Sequence, residues 1–241
     1  EGYGPDEEIE MMEEKVANAE LPRMTPRSKS NLVRYLAMIR NIDTNMGRLM
    51  AFLDKTGLAE NTILLFMTDN GSTFGHAYFP AGMRGRKTQL WEGGHRVPFI
   101  ARWPKRIEAG STSEQTVCLT DLMATCAAIT GAKLPPNAAE DSFNILPALL
   151  GQDDKPIREY TLHQTISLAL AIRNGDWKYL DHKGSGGNRY GGPLQKYAIA
   201  DSAPEVPGQL YNLSSDPGEK NNLVSDKPAI ARALKAKLEE F

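Results

Sequence analysis

The feature that most limits the possible folds is a short apolar run that stops at a carboxylate. Residues 62–68 read TILLFMT and are followed by Asp69-Asn70-Gly71. A run so short, apolar and rich in strand-forming residues is typical of a strand buried on both faces of a parallel sheet. Apolar residues at three- and four-residue spacing predict a long amphipathic helix before it, from Ser28 to Lys55, with Gly57 just beyond. A helix followed by a buried strand predicts an α/β layer structure.

The same mixture of elements continues to residue 151. Val97–Trp103 is predicted to be a second apolar strand, and Thr120–Thr130 a helix that begins at a Thr120 or Asp121 cap and ends before Gly131. Its inward-facing residues are predicted to be Leu122, Cys126 and Ile129. A further short helix is predicted at Phe143–Leu150, whereas residues 1–27 are acidic, proline-bearing and only weakly helical, as in a surface approach segment.

The pattern changes after Gln152 to short strands separated by turns. The residues predicted to form strands are Tyr160–Gln164, Leu168–Arg173, Trp177–Asp181 and Gln209–Leu213. Asn174-Gly175 is a strong hairpin signal, and Lys183–Pro207, with its glycines and prolines, is typical of a long surface loop. A last helix is predicted from about Asp226. We therefore predict two domains, an α/β part in residues 1–151 and a small antiparallel sheet with a terminal helix in residues 152–241.

Charge and composition exclude several classes of function. The 28 basic and 30 acidic residues give a formal net charge of −2, so the chain has no overall positive field for nucleic acid or an anionic membrane. No apolar run approaches the roughly 20 residues of a membrane span. Cys118 and Cys126 have neither a disulfide-like nor a zinc-like spacing and are predicted to be small core residues.

Asp69 and Asn70 are candidate metal ligands. Ligands of α/β sheets bind beyond the carboxyl ends of the strands, which is where these two residues are predicted to lie. A carboxylate and an amide supply hard oxygens that suit Ca²⁺ or Mg²⁺, and Gly71 lets the backbone turn away. Two ligands do not complete a site for such an ion, so further carboxylates have to come from elsewhere. The alternative is an ordinary turn after a strand, which is the simpler interpretation of these three residues alone.

A group of cations follows the possible metal ligands. Arg84, Arg86 and Lys87 precede Glu92-Gly93-Gly94. Guanidinium and ammonium groups can hold a tetrahedral oxyanion and stabilise a leaving oxygen, so a metal with these cations indicates an anionic ester. The alternative is that each basic residue is simply solvated in a glycine-bearing loop.

Taken together, the motifs resemble the C-terminal half of the calcium-dependent arylsulfatases, in the alkaline-phosphatase-like superfamily. The matching segments, in order, are Asn61-Thr62-Ile63, Thr68–Gly71, Gly85–Thr88, Glu92–Gly94, Arg96–Pro98, Trp103-Pro104, Thr120–Leu122, Ile172–Lys178, Leu210–Leu213 and Asp216–Glu219. The resemblance covers nearly everything from Ser28 onward. It implies an alkaline-phosphatase-like α/β sandwich, present in part, followed by a small antiparallel sheet with a C-terminal helix.

The resemblance also implies roles for individual residues. Asp69 and Asn70 correspond to the second pair of calcium ligands, with Mg²⁺ as a possible substitute, and Lys87 to the lysine that contacts the sulfate group and the leaving oxygen. Arg86 stands where many relatives have glycine, and it is a candidate for part of the anion contact. His163 is a candidate at the substrate rim. His76 is another candidate substrate contact, with an exposed loop histidine as its alternative.

The family's nucleophile is absent from this sequence. Sulfatases use a formylglycine made within a Cys/Ser-x-Pro/Ala-x-Arg motif, and neither Cys118 nor Cys126 begins such a motif. The resemblance thus implies a C-terminal portion that is inactive alone, with the formylglycine in a missing N-terminal part. The family's habit also implies a periplasmic or secreted protein.

Three functions remain open at this stage. The leading one is sulfuric ester hydrolysis of the arylsulfatase type, acting on a sulfated small molecule or a sulfated glycan. A phosphodiesterase or phosphonate hydrolase of the same superfamily would use the same Asp-Asn pair and cation. A noncatalytic binding module would keep the sheet without the reaction.

Overall fold

A computed structural model describes residues 5–19, 24–74, 79–152 and 155–241, which divide into two compact units. The first comprises residues 1–63 with residues 72–82, and the second comprises residues 64–71 with residues 83–241. The boundary predicted after residue 151 stays a prediction. None of the described helices combines the length and the apolar character needed to cross a membrane.

Two helices form the first unit. Helix α1 spans Pro5–Ala17 and α2 spans Pro26–Lys55, where Thr25 caps α2 by accepting a hydrogen bond from the Ser28 backbone N–H at 3.2 Å. The two helices pack through Met12 and Val16 of α1 and a small group on α2: Leu32, Val33 and Ala37. The predicted surface approach segment therefore contains a packed helix, because its few apolar residues recur at helical spacing. Farther along α2, several apolar side chains are exposed: Met38, Ile39, Ile42, Leu49, Met50 and Phe52.

The second unit begins with two short strands. β1 spans Leu64–Met67 and β2 spans Phe99–Arg102, and they pair antiparallel with Phe66 opposite Ile100. All four β1 residues are half-buried. The expectation of a parallel neighbour is therefore wrong for this pair, because an apolar run indicates burial and carries no information about the direction of the adjacent strand.

Three short helices lie in the first part of this unit, of which α3 spans Glu92–His95. α4 spans Leu122–Thr130 and ends at Gly131, whose φ of 72° is left-handed, and α5 spans Leu146–Leu149. Asp121 precedes α4 as predicted, but its buried carboxylate accepts hydrogen bonds from the Cys118 and Phe143 backbones and pairs with Arg158. The prediction that Cys126 lies in the core is wrong, since it is exposed. α4 is apolar on several sides, so its buried face is set by the Asp121 contacts and not by periodicity.

The rest of the unit is a four-stranded antiparallel sheet in the order β3-β4-β5-β6. The strands span Tyr160–Gln164, Leu170–Asn174, Trp177–Lys183 and Pro207–Asn212. The hairpin is confirmed: Asn174 pairs with Trp177 across a two-residue turn that begins at Gly175, whose φ is 53°. A terminal helix, α6, spans Pro228–Glu240.

The two faces of this sheet carry different partners. On one face Ala171, Leu180 and Tyr211 pack with Leu90 and Trp91, which belong to the loop region between β1 and β2. The other face packs against α6, with Ile172, Tyr179 and Leu210 meeting Ala231, Leu234 and Leu238. Because strand side chains alternate, this apolar burial on both sides fixes the register of β4 and β5.

Candidate active site

Asp69 and Asn70 leave the carboxyl end of β1, and their side chains make no hydrogen bond or ion pair with the described part of the chain. Asp69 is exposed and Asn70 is half-buried. Their position is fixed by the next residue, because the Gly71 N–H donates to the Gly94 carbonyl at 2.8 Å. The fold therefore presents two oxygen-bearing side chains that the described residues do not engage.

Three glycines join this segment to the loop that carries Lys87. A Cβ on Gly71 would lie 1.9 Å from the Gly93 carbonyl oxygen, one on Gly93 would lie 2.5 Å from the Gly85 carbonyl oxygen, and one on Gly94 would lie 1.9 Å from the Gln89 carbonyl oxygen. The Gly93 N–H also donates to the Arg84 carbonyl at 2.7 Å. Residues 69–71 and 84–89 are thus both pressed against the short helix α3, Glu92–His95. We call this contact the glycine junction.

Lys87 occupies a tight turn. The Gln89 N–H donates to the Arg86 carbonyl at 3.0 Å, and the Gln89 side chain accepts from the Arg86 N–H at 3.2 Å. Thr88 has φ of 78°, which places a β-branched residue in the left-handed region that such turns usually fill with glycine. The Lys87 side chain is exposed and pairs with no acid in the described residues. The turn therefore presents an ammonium group, unpaired by any acid of the described residues, on a strained backbone.

Replacing Thr88 by glycine is expected to stabilise the protein. A non-glycine residue in the left-handed region destabilises the folded state by about 1–3 kcal/mol. Glycine removes this strain, but its greater freedom in the unfolded chain offsets about 0.5–1 kcal/mol of the gain. The expected gain is about 1 kcal/mol in the free energy of unfolding, measured by urea denaturation of the complete protein. Thr73→Gly, in which no left-handed backbone is relieved, should give no gain. An unchanged or lower value for Thr88→Gly would show that the backbone at Thr88 is unstrained.

A buried ion cluster lies directly behind the glycine junction. The Lys178 Nζ is 2.9 Å from Glu92 Oε1 and 2.9 Å from Glu219 Oε1, and these three side chains are 0–1% exposed. The Glu92 backbone N–H also donates to Glu219 Oε2 at 2.6 Å. The cluster ties α3 to β5 and to the segment after β6, so it determines where the glycine junction sits.

The charges in this cluster alter the ionisation of the groups around Lys178. Burial raises the pKa of Glu92, but the Lys178 ammonium and its hydrogen bond outweigh burial and leave that pKa below its usual value. For Glu219 burial dominates, and its pKa is raised despite the same lysine. Burial, and then the positive charge of Lys178, lower the pKa of His95 to about 3. His95 is therefore neutral at physiological pH.

Arg84 and Trp91 also attach the segment around the Lys87 turn to β6 and to the residues after it. The Arg84 guanidinium lies 3.5 Å from the centroid of the Trp91 ring and donates to the Glu219 carbonyl at 3.0 Å. The Trp91 indole N–H donates to Gln209 Oε1 at 3.1 Å. Arg84 is thus committed to packing, which leaves Arg86 and Lys87 as the cations of this loop whose side chains pair with no acid in the described residues.

The remaining predicted site residues fall into three groups. Arg86 is half-buried in the Lys87 turn, so the structure brings it close to the glycine junction. His163 stacks on His95 with ring centroids 3.7 Å apart, and burial, together with the positive charge of Lys178, lowers its pKa well below the usual value. It is a neutral packing ring, and its contact with substrate stays a prediction. His76 lies outside the described residues.

Sequence reasoning missed the role of the ion cluster, although a signal was present. Lys178 falls within the largely apolar run WKYL, in phase with Leu180 and opposite Tyr211 across the strand pair. A lysine on an inward-facing strand position requires a buried partner. Glu92 and Glu219 lie 86 and 41 residues away along the chain, so only the folded structure identifies them as that partner.

Asp69 and Asn70 fit one side of a hard-cation site. Their oxygens are the donors that Ca²⁺ and Mg²⁺ prefer, and no described residue competes for them. In the part of the chain that the structure describes, no group of three or more His, Cys, Asp or Glu side chains could hold a metal ion. The remaining ligands would therefore have to come from outside these residues.

Comparisons with known proteins show that the chain is similar to sulfatases. The sulfatase family model matches residues 4–132. The N-acetylgalactosamine-6-O-sulfatase of Bacteroides thetaiotaomicron is 35% identical over 88% of this chain and 42% of its own length. Human arylsulfatase A is 32% identical over 82% of this chain and 41% of its own length. A B. thetaiotaomicron structure from work on glycosaminoglycan metabolism superimposes with a TM-score of 0.73 at 29% identity, over 99% of this chain and 55% of that one. The chain thus spans about half the length of these relatives.

Proposed function

Because the chain belongs to the sulfatase family, with the alkaline-phosphatase-like fold of its structural neighbours, we propose that it is part of a sulfuric ester hydrolase. In this proposal it supplies the residues that contact the sulfate group and the leaving oxygen. The observation that carries the proposal is the glycine junction. It presses the Asp69-Asn70 segment and the Lys87 turn against one short helix, and it leaves their polar side chains unengaged by the described residues. An anion-binding group and a metal-binding pair on one rigid support suit an anionic ester.

The complete enzyme requires two groups that this chain does not supply. A divalent cation held in part by Asp69 and Asn70 would neutralise charge on the ester's nonbridging oxygens when bound. We propose Ca²⁺ for this position, on the strength of the oxygen donors. The nucleophile, a formylglycine in this family, would come from residues outside this chain. The chain alone would therefore not turn over substrate, and a periplasmic or secreted location stays a prediction.

The contribution of this chain's own residues is electrostatic. Lys87 would donate hydrogen bonds to the sulfate group and to the oxygen of the departing alcohol, where negative charge develops. Arg86, the neighbouring cation, would hold the sulfate through its paired N–H groups. The buried ion cluster keeps α3 fixed behind both segments, which limits the backbone rearrangement that the reaction would need.

The proposed substrates are sulfated glycans. The names of the bacterial relative and of the glycosaminoglycan study support this class, whereas human arylsulfatase A keeps a small aryl sulfate open. A phosphodiesterase or phosphonate hydrolase remains the competing enzyme, because the Asp-Asn pair and the cation also suit phosphate. A noncatalytic module remains the competing binding function.

One experiment separates these functions. The complete protein is produced with formylglycine maturation and assayed with 4-nitrophenyl sulfate, sulfated N-acetylgalactosamine oligosaccharides, a phosphodiester and a phosphonate monoester. We expect hydrolysis of the sulfates at rates well above those of the phosphorus esters. The reverse order would identify a phosphorus-ester hydrolase. Binding of sulfated oligosaccharides with no release of sulfate would identify a noncatalytic module.

Lys87→Ala is expected to slow esters with poor leaving groups most. Removing a group that stabilises transition-state charge typically costs about 100- to 1,000-fold in kcat. We expect a loss of that size for alkyl sulfates and a clearly smaller loss for 4-nitrophenyl sulfate, whose leaving group needs less assistance. Lys133→Ala removes an exposed lysine after α4 and should leave both rates unchanged. An equal loss for both esters would argue against charge stabilisation by Lys87.

A further inference from the structure

The segment Gly184–Gly192, which we call the glycine-rich loop, is anchored far more firmly than a surface loop. Residues 184–188 are buried, so the prediction that Lys183–Pro207 is simply a surface loop is wrong for this part. Four of its glycines have positive φ: Gly184 at 81°, Gly186 at 99°, Gly187 at 62° and Gly192 at 57°. A Cβ on Gly184 would lie 2.2 Å from Asp201 Oδ2, so no larger residue fits without displacing that carboxylate.

Two polar side chains fasten the base of the loop. Asp201 Oδ1 accepts hydrogen bonds from the Ser185 N–H at 2.9 Å and from the Ser185 hydroxyl at 2.8 Å. Asn188 donates its backbone N–H to the Ile199 carbonyl at 2.9 Å, and its side chain accepts the Ile199 N–H in return. The buried polar groups at the base are therefore paired, and the residue after Asn188 starts from a fixed position.

The loop lies directly against the turn that carries Lys87. The Leu90 N–H donates to the Ser185 carbonyl at 2.7 Å. A Cβ on Gly186 would lie 3.2 Å from the Thr88 carbonyl oxygen and 2.6 Å from Thr165 Cγ2. The glycine-rich loop is thus in contact with the residue that follows Lys87 and with the turn between β3 and β4.

Beyond this base, the loop and the neighbouring turn expose several side chains to solvent. Arg189 is exposed and forms no hydrogen bond or ion pair with a described residue, and Tyr190, which is half-buried, follows it. In the turn between β3 and β4, Ile166 and Leu168 are 62% and 73% exposed. Leu168 is held at a left-handed φ of 62°, although its side chain gains nothing from burial. Residues held in sparsely populated backbone conformations cluster at ligand-binding and active sites.

We propose that Arg189, Tyr190 and the turn at residues 165–168 bind the sugar next to the sulfated one, and that this sugar carries a carboxylate or a sulfate. The inference rests on the proposed function and names the substrate class more closely. A guanidinium group matches either anion with two parallel hydrogen bonds. Tyr190, Ile166 and Leu168 supply the apolar and aromatic surface that lines most small-molecule sites. The Asp201 carboxylate is directed at the base of the loop, where it accepts hydrogen bonds from Ser185.

The test compares substrates with and without the second sugar. In the complete protein, Arg189→Ala is assayed with 4-nitrophenyl sulfate and with three sulfated disaccharides. In these the second sugar carries a free carboxylate, the methyl ester of that carboxylate, or a sulfate. We expect kcat/KM to fall at least fivefold more for the preferred anionic disaccharide than for the aryl sulfate, mainly through KM. The methyl ester should lose no more than the aryl sulfate, and the two anionic substrates show which anion is bound.

Arg232→Ala removes an exposed arginine from α6, on the other face of the sheet, and should leave every rate unchanged. Equal losses on all four substrates, or no loss on either anionic disaccharide, would overturn the inference while leaving the proposed function standing. A wild-type protein that hydrolyses none of the sulfates would overturn the proposed function, and this inference with it.

Discussion

Lys178→Ala is expected to destabilise the protein by about 3–5 kcal/mol, which is the usual cost of removing one partner from a buried ion pair. The substitution leaves the Glu92 and Glu219 carboxylates buried together without the ammonium that separates them. Domains are stable by only about 5–15 kcal/mol, so the loss is a large fraction of the whole. The measurement is urea denaturation of the complete protein at neutral pH, with hydrogen exchange at the β4–β6 amides as a local readout.

A matched lysine on the surface provides the control for this prediction. Lys235 lies 3.2 Å from Asp181 but is 46% exposed, so Lys235→Ala should cost less than about 1 kcal/mol. The triple substitution Glu92→Gln, Lys178→Met, Glu219→Gln removes all three charges and should recover part of the lost stability. If Lys178→Ala is no more harmful than Lys235→Ala, the cluster does not hold the glycine junction in place.

Asp69→Ala is expected to reduce the proposed sulfatase activity of the complete protein by more than about 100-fold. Disturbing groups that support metal ligands typically costs about 10- to 100-fold, and loss of a ligand itself should cost at least as much. The physical reason is that one of the charged oxygens expected to hold a divalent cation is lost. Two measurements check it: turnover of 4-nitrophenyl sulfate at saturating Ca²⁺, and Ca²⁺ binding by calorimetry. Both should fall together.

The control for Asp69 is another exposed aspartate. Asp226→Ala removes a carboxylate near the start of α6 and should change neither turnover nor calcium binding. Normal turnover in Asp69→Ala would remove this residue from the metal site. Normal calcium binding with lost turnover would instead assign Asp69 a direct role with substrate.

Local patterns were sufficient to predict most elements of the fold. The strand at Tyr160–Gln164 has the predicted bounds, and α2 begins two residues before the predicted Ser28. These elements are specified by their own periodicity and by turn residues such as Gly175. Partners distant in sequence could not be predicted in the same way. The antiparallel pairing of β1 with β2 depends on the path of the chain between them, which an apolar run does not encode.

The candidate site shows the same division between local and distant information. Asp69, Asn70 and Lys87 were identified from motifs, and the glycine junction explains why glycines surround them. The Glu92–Lys178–Glu219 cluster and the buried base of the glycine-rich loop were missed. Glycines usually indicate solvent-exposed turns. The local sequence around residues 184–188 does not predict the hydrogen bond between Ser185 and Asp201, because the two residues are distant in sequence.

Because the two faces of the sheet have different partners, the protein is suitable for attachment to a solid support through α6. Helix α6 covers one face, whereas Leu90 and Trp91, beside the proposed catalytic lysine, cover the other. A dye or a solid support coupled through the outer side of α6, for example at Arg232, would sit across the sheet from the reacting ester. The complete protein immobilised in this way should therefore keep the Lys87 turn accessible, so the proposed turnover could be followed without obstruction by the support.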